Sequence, residues 1–133
     1  MDFLSGASGA LGLPIVEDSW SGSAARRAVA KWASSDGSGM KSTINWSKYR
    51  KAFFWYDASN PENFGSYKLP FATVRNGRLV AVKAGITAAA AAVQGARGGV
   101  SIPEKDKAAV KRRIASYYRR MKMEPPWANK KDE

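Results

Sequence analysis

The stretch Ser101–Lys122, SIPEKDKAAVKRRIASYYRRMK, sets the frame for the rest of the chain. Val110, Ile114, Tyr117, Tyr118 and Met121 recur at helical spacing and make one apolar face. Basic residues cover the remainder of the cylinder. Lys105, Arg112 and Arg119 repeat every seven positions and point away from that face. Arg113 and Arg120 form a second row on one flank, and Lys111 and Lys122 line the other. Such a helix packs by one side and offers a cationic ridge on the other. Ser101-Ile-Pro-Glu104 fits a capping box, with proline tolerated in the first turn. Glu104 and Asp106 then complement the helix dipole. Pro125 and Pro126 stop the helix, and Trp127 is placed to fold back on a core.

Upstream, Gly95-Ala-Arg-Gly-Gly99 leads into the helix. It is either a C-cap with a tight interhelical turn or a phosphate cradle clamped by Arg97. Neither GxxxxGKS/T nor GxGxxG is present, which favours the turn. ITAAAAAVQ (86–94) reads as a helix whose alanines permit close helix approach. Before it, Phe71–Arg75 and Arg78–Val82 flank Asn76-Gly77, the strongest short hairpin signal. The register sets Thr73 against Val80 and Arg75 against Arg78, so the tip calls for a counter-charge or open solvent.

Two further helices are predicted. WSKYRKAFFWYD, about 46–57, is capped by Asn45 and carries Trp46, Tyr49, Phe53 and Tyr56 on one stripe. AARRAVAKWA (24–33) is capped by Ser23. The expected architecture is a small α+β single domain, ordered helix, helix, β-hairpin, helix, helix. The domain spans 20–127. Residues 1–19, rich in Gly, Ser and Ala, read as a flexible N-terminal arm, with Phe3, Leu11, Leu13, Ile15 and Val16 available to dock on a partner or back on the domain, and 128–133 as a frayed tail.

The 133 residues fit one domain, and five each of Trp, Tyr and Phe within 44% hydrophobic residues supply its core. Most of these aromatics stand at helical spacing and read as core rather than as base-stacking platforms. Twenty-two Lys and Arg against eleven Asp and Glu leave a net charge of +11. An excess of that size destabilises a small fold by self-repulsion, and an anionic partner is its commonest reason. The chain has no Cys and no His. That removes disulfides, thiolate zinc sites, the Ser-His triad and imidazole chemistry. Asp57 and Glu62 sit on a turn-rich stretch with no partner to make a site. The inventory reads as a binding domain rather than an enzyme, with no cofactor and no metal.

No apolar run approaches the roughly 20 residues that span a bilayer. The first residues carry Asp2 and no base, unlike a secretory signal. The expectation is no membrane and a cytosolic setting.

WSGSAAR (20–26), KYRKAFFWYD with PENFGSYKLPF (48–71), GARGGVSIP (95–103) and Tyr117-Tyr118 ahead of Pro125-Pro126 resemble a module of tailed bacteriophages and prophages. In that family the module is often appended to the head-maturation (prohead) protease. The resemblance covers about 20–127. The protease uses a catalytic His, which this chain lacks, so no catalytic role carries over. The resemblance implies a phage head or phage DNA setting, in the bacterial host cytoplasm or the virion.

The sequence therefore predicts a non-enzymatic domain that binds nucleic acid, DNA ahead of RNA, through the phosphate backbone. Arg112, Arg113, Arg119 and Arg120 would form the central patch, with Lys111 and Lys122 beside them. Arg75 and Arg78 at the hairpin tip and Arg97 in the glycine loop would extend it. The alternative is a protein-interaction module of phage head assembly that meets a capsid or scaffold protein. A phage-encoded regulator of an acidic partner is a third reading.

Overall fold

The computed structural model describes residues 6–95 and 98–130. It is a small α+β domain. In chain order the elements are β1 (Ile15–Val16), α1 (Gly22–Ala33), α2 (Trp46–Tyr49), β2 (Phe53–Tyr56), β3 (Tyr67–Pro70), β4 (Ala72–Arg75), β5 (Arg78–Val82), α3 (Lys83–Val93) and α4 (Glu104–Arg120). One sheet has the order β1-β5-β4, and β2 pairs with β3 in the other.

The hairpin forms in the expected register, with Thr73 opposite Val80 and Arg75 opposite Arg78. Asn76 and Gly77 take φ of 53° and 76°, as a type I′ turn requires. Asp18 supplies the counter-charge at the tip through an ion pair with Arg75. Helix α1 begins earlier than predicted: Ser21, not Ser23, caps it by accepting from Ala24 N–H (3.2 Å). Asn45 caps α2 as expected, accepting from Lys48 N–H (3.2 Å).

The predicted helix over 46–57 stops early. After α2, Arg50–Ala52 make a 3-10 turn and Phe53–Tyr56 run as a strand. The reason lies in FFWY itself. Phe53, Phe54 and Trp55 are all buried, and three consecutive buried residues wrap too far around a helix to share one stripe. A strand sends them alternately to two covered faces. Phe53 meets Tyr49 and Tyr67, with ring centres 4.8 and 5.5 Å away. Phe54 stacks on Phe71 (3.9 Å, 11°) and meets Tyr117 edge-on.

The expected flexible arm is also corrected from Gly6 onward. Gly6–Ala10 runs antiparallel along the edge of β2 that β3 leaves open, with Ala7 bridging Trp55. Ser8 N–H donates to Phe54 O, Tyr56 N–H to Gly6 O and Ala10 N–H to Lys51 O, at 2.9–3.0 Å. Further on, Ile15 and Val16 pair in parallel with Ala81 and Val82 of β5. One segment thus closes an edge of each sheet, satisfying main-chain groups that would otherwise face solvent. Gly6 is required by close approach: a Cβ there would lie 2.4 Å from Trp55 Nε1. Gly9 is required by its φ of +100°.

Helix α4 locks this segment down. Arg113 donates through Nε to Ser8 O and through Nη2 to Gly9 O, both at 2.7 Å. Tyr117 donates its hydroxyl to Ala10 O (2.6 Å) and accepts from Leu13 N–H (3.2 Å). Asp106, 4% exposed, accepts from Trp55 Nε1 (2.7 Å) and Gly6 N–H (3.2 Å). Asp106 is therefore a buried acceptor rather than only a dipole-complementing acid. The capping box does not form either: Pro103 occupies the N-cap with no side-chain cap, and Ser101 is exposed.

The buried face of α4 is Val110, Ile114, Tyr117 and Tyr118, packed partly on α3. Gly95 follows α3 with φ of 107°, the expected C′ geometry. Trp127 packs against the core as expected. Pro126–Lys130 make a 3-10 turn, so the predicted frayed tail does not begin at 128. Residues 131–133 and the first five residues of the arm lie outside the described residues.

Two outcomes follow from this packing. Arg113→Ala should cost roughly 2–4 kcal/mol, because two charge-assisted hydrogen bonds vanish and their carbonyls are left unpaired. Arg113→Lys keeps the charge but not the fork and should recover less than half, as read by urea denaturation. Burial pushes the hydroxyls of Tyr49, Tyr67, Tyr117 and Tyr118 above their ordinary value of 10.0. A raised folded value means stability that is present below pH 10 and lost as pH rises through the folded values. Phenolate absorbance should therefore rise together with loss of circular dichroism. Reversible ionisation of these tyrosines near pH 10 in folded protein would contradict the packing.

Candidate functional site

Helix α4 sorts its charges by direction. Lys105, Arg112 and Arg119 stand on the side opposite the buried face, and all three are exposed. Arg120 and Lys122 are exposed beside the C-terminal end of that row. Arg120 also lies over the Tyr117 ring at 5.2 Å. None of these five cations forms an ion pair with a described acid. The ion pairs among the described residues are Arg75–Asp18 and Lys107–Glu104. Arg119 and Arg120 also complement the negative end of the helix dipole, which is their structural role.

Lys122 adds a second signal. It takes φ of 60° just past the helix. Lys122 N–H donates to Arg119 O and Met123 N–H to Tyr118 O, which is the Schellman arrangement. Glycine ordinarily fills that left-handed position, and a side chain there costs on the order of 1 kcal/mol. Here the position holds a lysine that extends the row.

Two residues of the predicted patch are withdrawn from it. Arg113 is half-buried and spends its guanidinium on Ser8 O and Gly9 O, so it is a structural clamp rather than a free surface cation. Lys111 is half-buried and sits 5.3 Å over the Trp127 ring. The hairpin arginines form a separate place. Trp32 Nε1 donates to Gly77 O (3.1 Å), so the tip is held at α1, whereas α4 packs on α3 and β2. Arg75 is engaged with Asp18, and Arg78 is exposed. Arg97 lies outside the described residues. Gly98 and Gly99 beside it have φ of 84° and 79°, consistent with a glycine-dependent turn.

Asp57 and Glu62 have different surroundings. Asp57 accepts from Ser59 Oγ (2.6 Å) and Ser59 N–H (3.0 Å), bonds that hold it below the usual carboxylate range. This is a turn-forming aspartate. Glu62 instead lines an open concavity with Lys41, Ser42, Ile44 and Trp46. Among the described residues no group of three or more Asp and Glu is placed to hold a metal ion. No described helix is long and apolar enough to cross a membrane.

Sequence reading missed the burial of Asp106 and the clamping role of Arg113. The first had a signal. Asp106 stands four residues before Val110, which stands four before Ile114, so it belongs to the buried face. The second had none, because the carbonyls that Arg113 holds lie about a hundred residues away in the chain. No family model, curated protein or solved structure matches this chain, so the functional reading rests on these residues and their geometry.

Proposed function

We propose that this domain binds nucleic acid without base specificity, DNA ahead of RNA, by setting the outward row of α4 against the phosphate backbone. The observation that carries the reading is the row itself. Lys105, Arg112, Arg119, Arg120 and Lys122 are exposed on one helix and its C-terminal end, of one sign, and without an ion pair to any described acid. A helix that only solubilises a domain mixes signs and pairs them at i,i+4. Successive members of the central row, seven residues apart, stand about 10 Å apart at 1.5 Å per residue. That spacing reaches phosphates along a strand and reads no base edge. Burying the row against phosphate releases counterions, and this drives association and relieves the repulsion of a +11 domain. A setting in the phage head or on phage DNA is part of the proposal and is what the sequence resemblance of 20–127 to a phage module implies.

The test is a salt titration of duplex binding. Log K should fall with log salt at about 0.9 per phosphate neutralised. Replacing Arg112 and Arg119 together with Ala should change stability by no more than about 0.5 kcal/mol, as exposed substitutions do. It should lower the salt slope by about 1 for each phosphate that the variant no longer neutralises. Binding that persists with an unchanged slope would place the DNA elsewhere on the domain, and unfolding of the double variant would make the row structural. Retention by an acidic protein surface but not by DNA would favour the interaction-module reading.

A further inference from the structure

Three half-buried arginines among the described residues can be compared directly. Arg26 donates to Tyr67 O at 2.7 Å, and Arg113 donates to two carbonyls at 2.7 Å. Both are accounted for by the main chain they hold. Arg50 is not. Its guanidinium lies 4.1 Å over the Tyr56 ring, and its hydrogen bond to Tyr67 Oη is long at 3.5 Å. Its Nε is buried without a partner among the described residues. It has no ion pair with any described acid. A guanidinium taken partly out of water and left with unspent donors is costly unless an anion completes it.

The surroundings of Arg50 favour that anion. A cavity of about 320 Å³ is lined by Arg50, Lys51, Ser47, Tyr56 and the segment Ala7–Ala10. Ser47 and Lys51 are exposed, and no described acidic side chain lines the space. Tyr56 stacks in turn on Tyr67 (5.5 Å, 16°), so the ring under Arg50 is itself fixed. The guanidinium plane is thereby oriented before a ligand arrives, which lowers the ordering cost of binding. A planar fork, an ammonium and a hydroxyl around one concavity are the donor set for a phosphate group.

We infer that Arg50, Lys51 and Ser47, on the Tyr56 platform, form a second anion site that takes a phosphate group. No residue of the outward α4 row lines this cavity, and the inference does not depend on the nucleic-acid reading. The phosphate can belong to a free nucleotide or to a nucleic-acid strand, and both present the same chemistry to Arg50.

Pyrophosphate titrated into the nitrogen-15-labelled full chain tests this. The Arg50 Nε–H and the Ser47 and Lys51 amides should shift along one saturable curve. Lys51→Gln should weaken that curve about fivefold with an unchanged melting temperature, the effect of one charge-assisted hydrogen bond at an open site. The Arg112→Ala/Arg119→Ala protein should bind pyrophosphate within about twofold of wild type, because neither residue lines the cavity. Shifts confined to α4, or a linear drift that never saturates, would overturn the proposal. A parallel titration with a nucleoside monophosphate and with a short single strand identifies the source, since whichever moves the Arg50 Nε–H at lower concentration carries the fitting phosphate.

Discussion

The structure depends on the fastening of Gly6–Val16 across the open edges of both sheets. The β2-β3 pair and the β4-β5 hairpin each leave an edge whose main-chain groups need partners. The segment supplies them, in antiparallel register to β2 and in parallel to β5. Helix α4 fixes it in place through Asp106 at Gly6, Arg113 at Ser8 and Gly9, and Tyr117 at Ala10 and Leu13. A helix late in the chain is thereby held to both sheets by the start of the described chain. Its rotation about its own axis is fixed by hydrogen bonds as well as by the burial of Val110, Ile114 and Tyr117.

That fixed rotation decides which charges are available. Arg112 and Arg113 are neighbours in sequence, yet one is exposed and the other holds two carbonyls. The outward row is left facing solvent, and Lys122 extends it from a backbone position that glycine would occupy with less strain. Two ion pairs form among the described residues, and 22 cations face only 11 acids in the chain. The +11 excess exceeds what the chain's own acids can pair, and the proposed function rests on it. Arg50 differs from the row, a half-buried cation held on aromatic rings beside a concavity with no described acid.

What was legible in the sequence was what local rules decide. Asn76-Gly77 demanded positive φ at both positions and so specified the hairpin and its register. The alanine run and Gly95 marked α3 and its end, and the apolar spacing of 110–121 marked α4 and its outer row. What escaped was decided by long-range partners. FFWY carries enough apolar residues for a helix stripe, and only the covered faces supplied by Tyr67, Phe71 and Tyr117 make it a strand. Gly6–Val16 looks like a flexible arm by composition, because its glycines serve close approach to Trp55 and a left-handed turn beside Phe71 rather than freedom. Arg113 reads as one more surface cation until the carbonyls it holds are seen. Of the residues predicted to meet phosphate, Arg112, Arg119, Arg120 and Lys122 therefore come together. Arg113 and Lys111 are diverted inward, and Arg75 and Arg78 stand at α1.

Under the proposed function, α4 divides its arginines between holding the fold and meeting phosphate. The arginine side-chain Nε–H spectrum recorded during titration with a short duplex tests it in one experiment. The Arg112 and Arg119 signals should move with bound DNA while Arg113 keeps its position and exchanges slowly with water. Movement of Arg113 together with Arg112 and Arg119, or no movement of any α4 arginine, would contradict it.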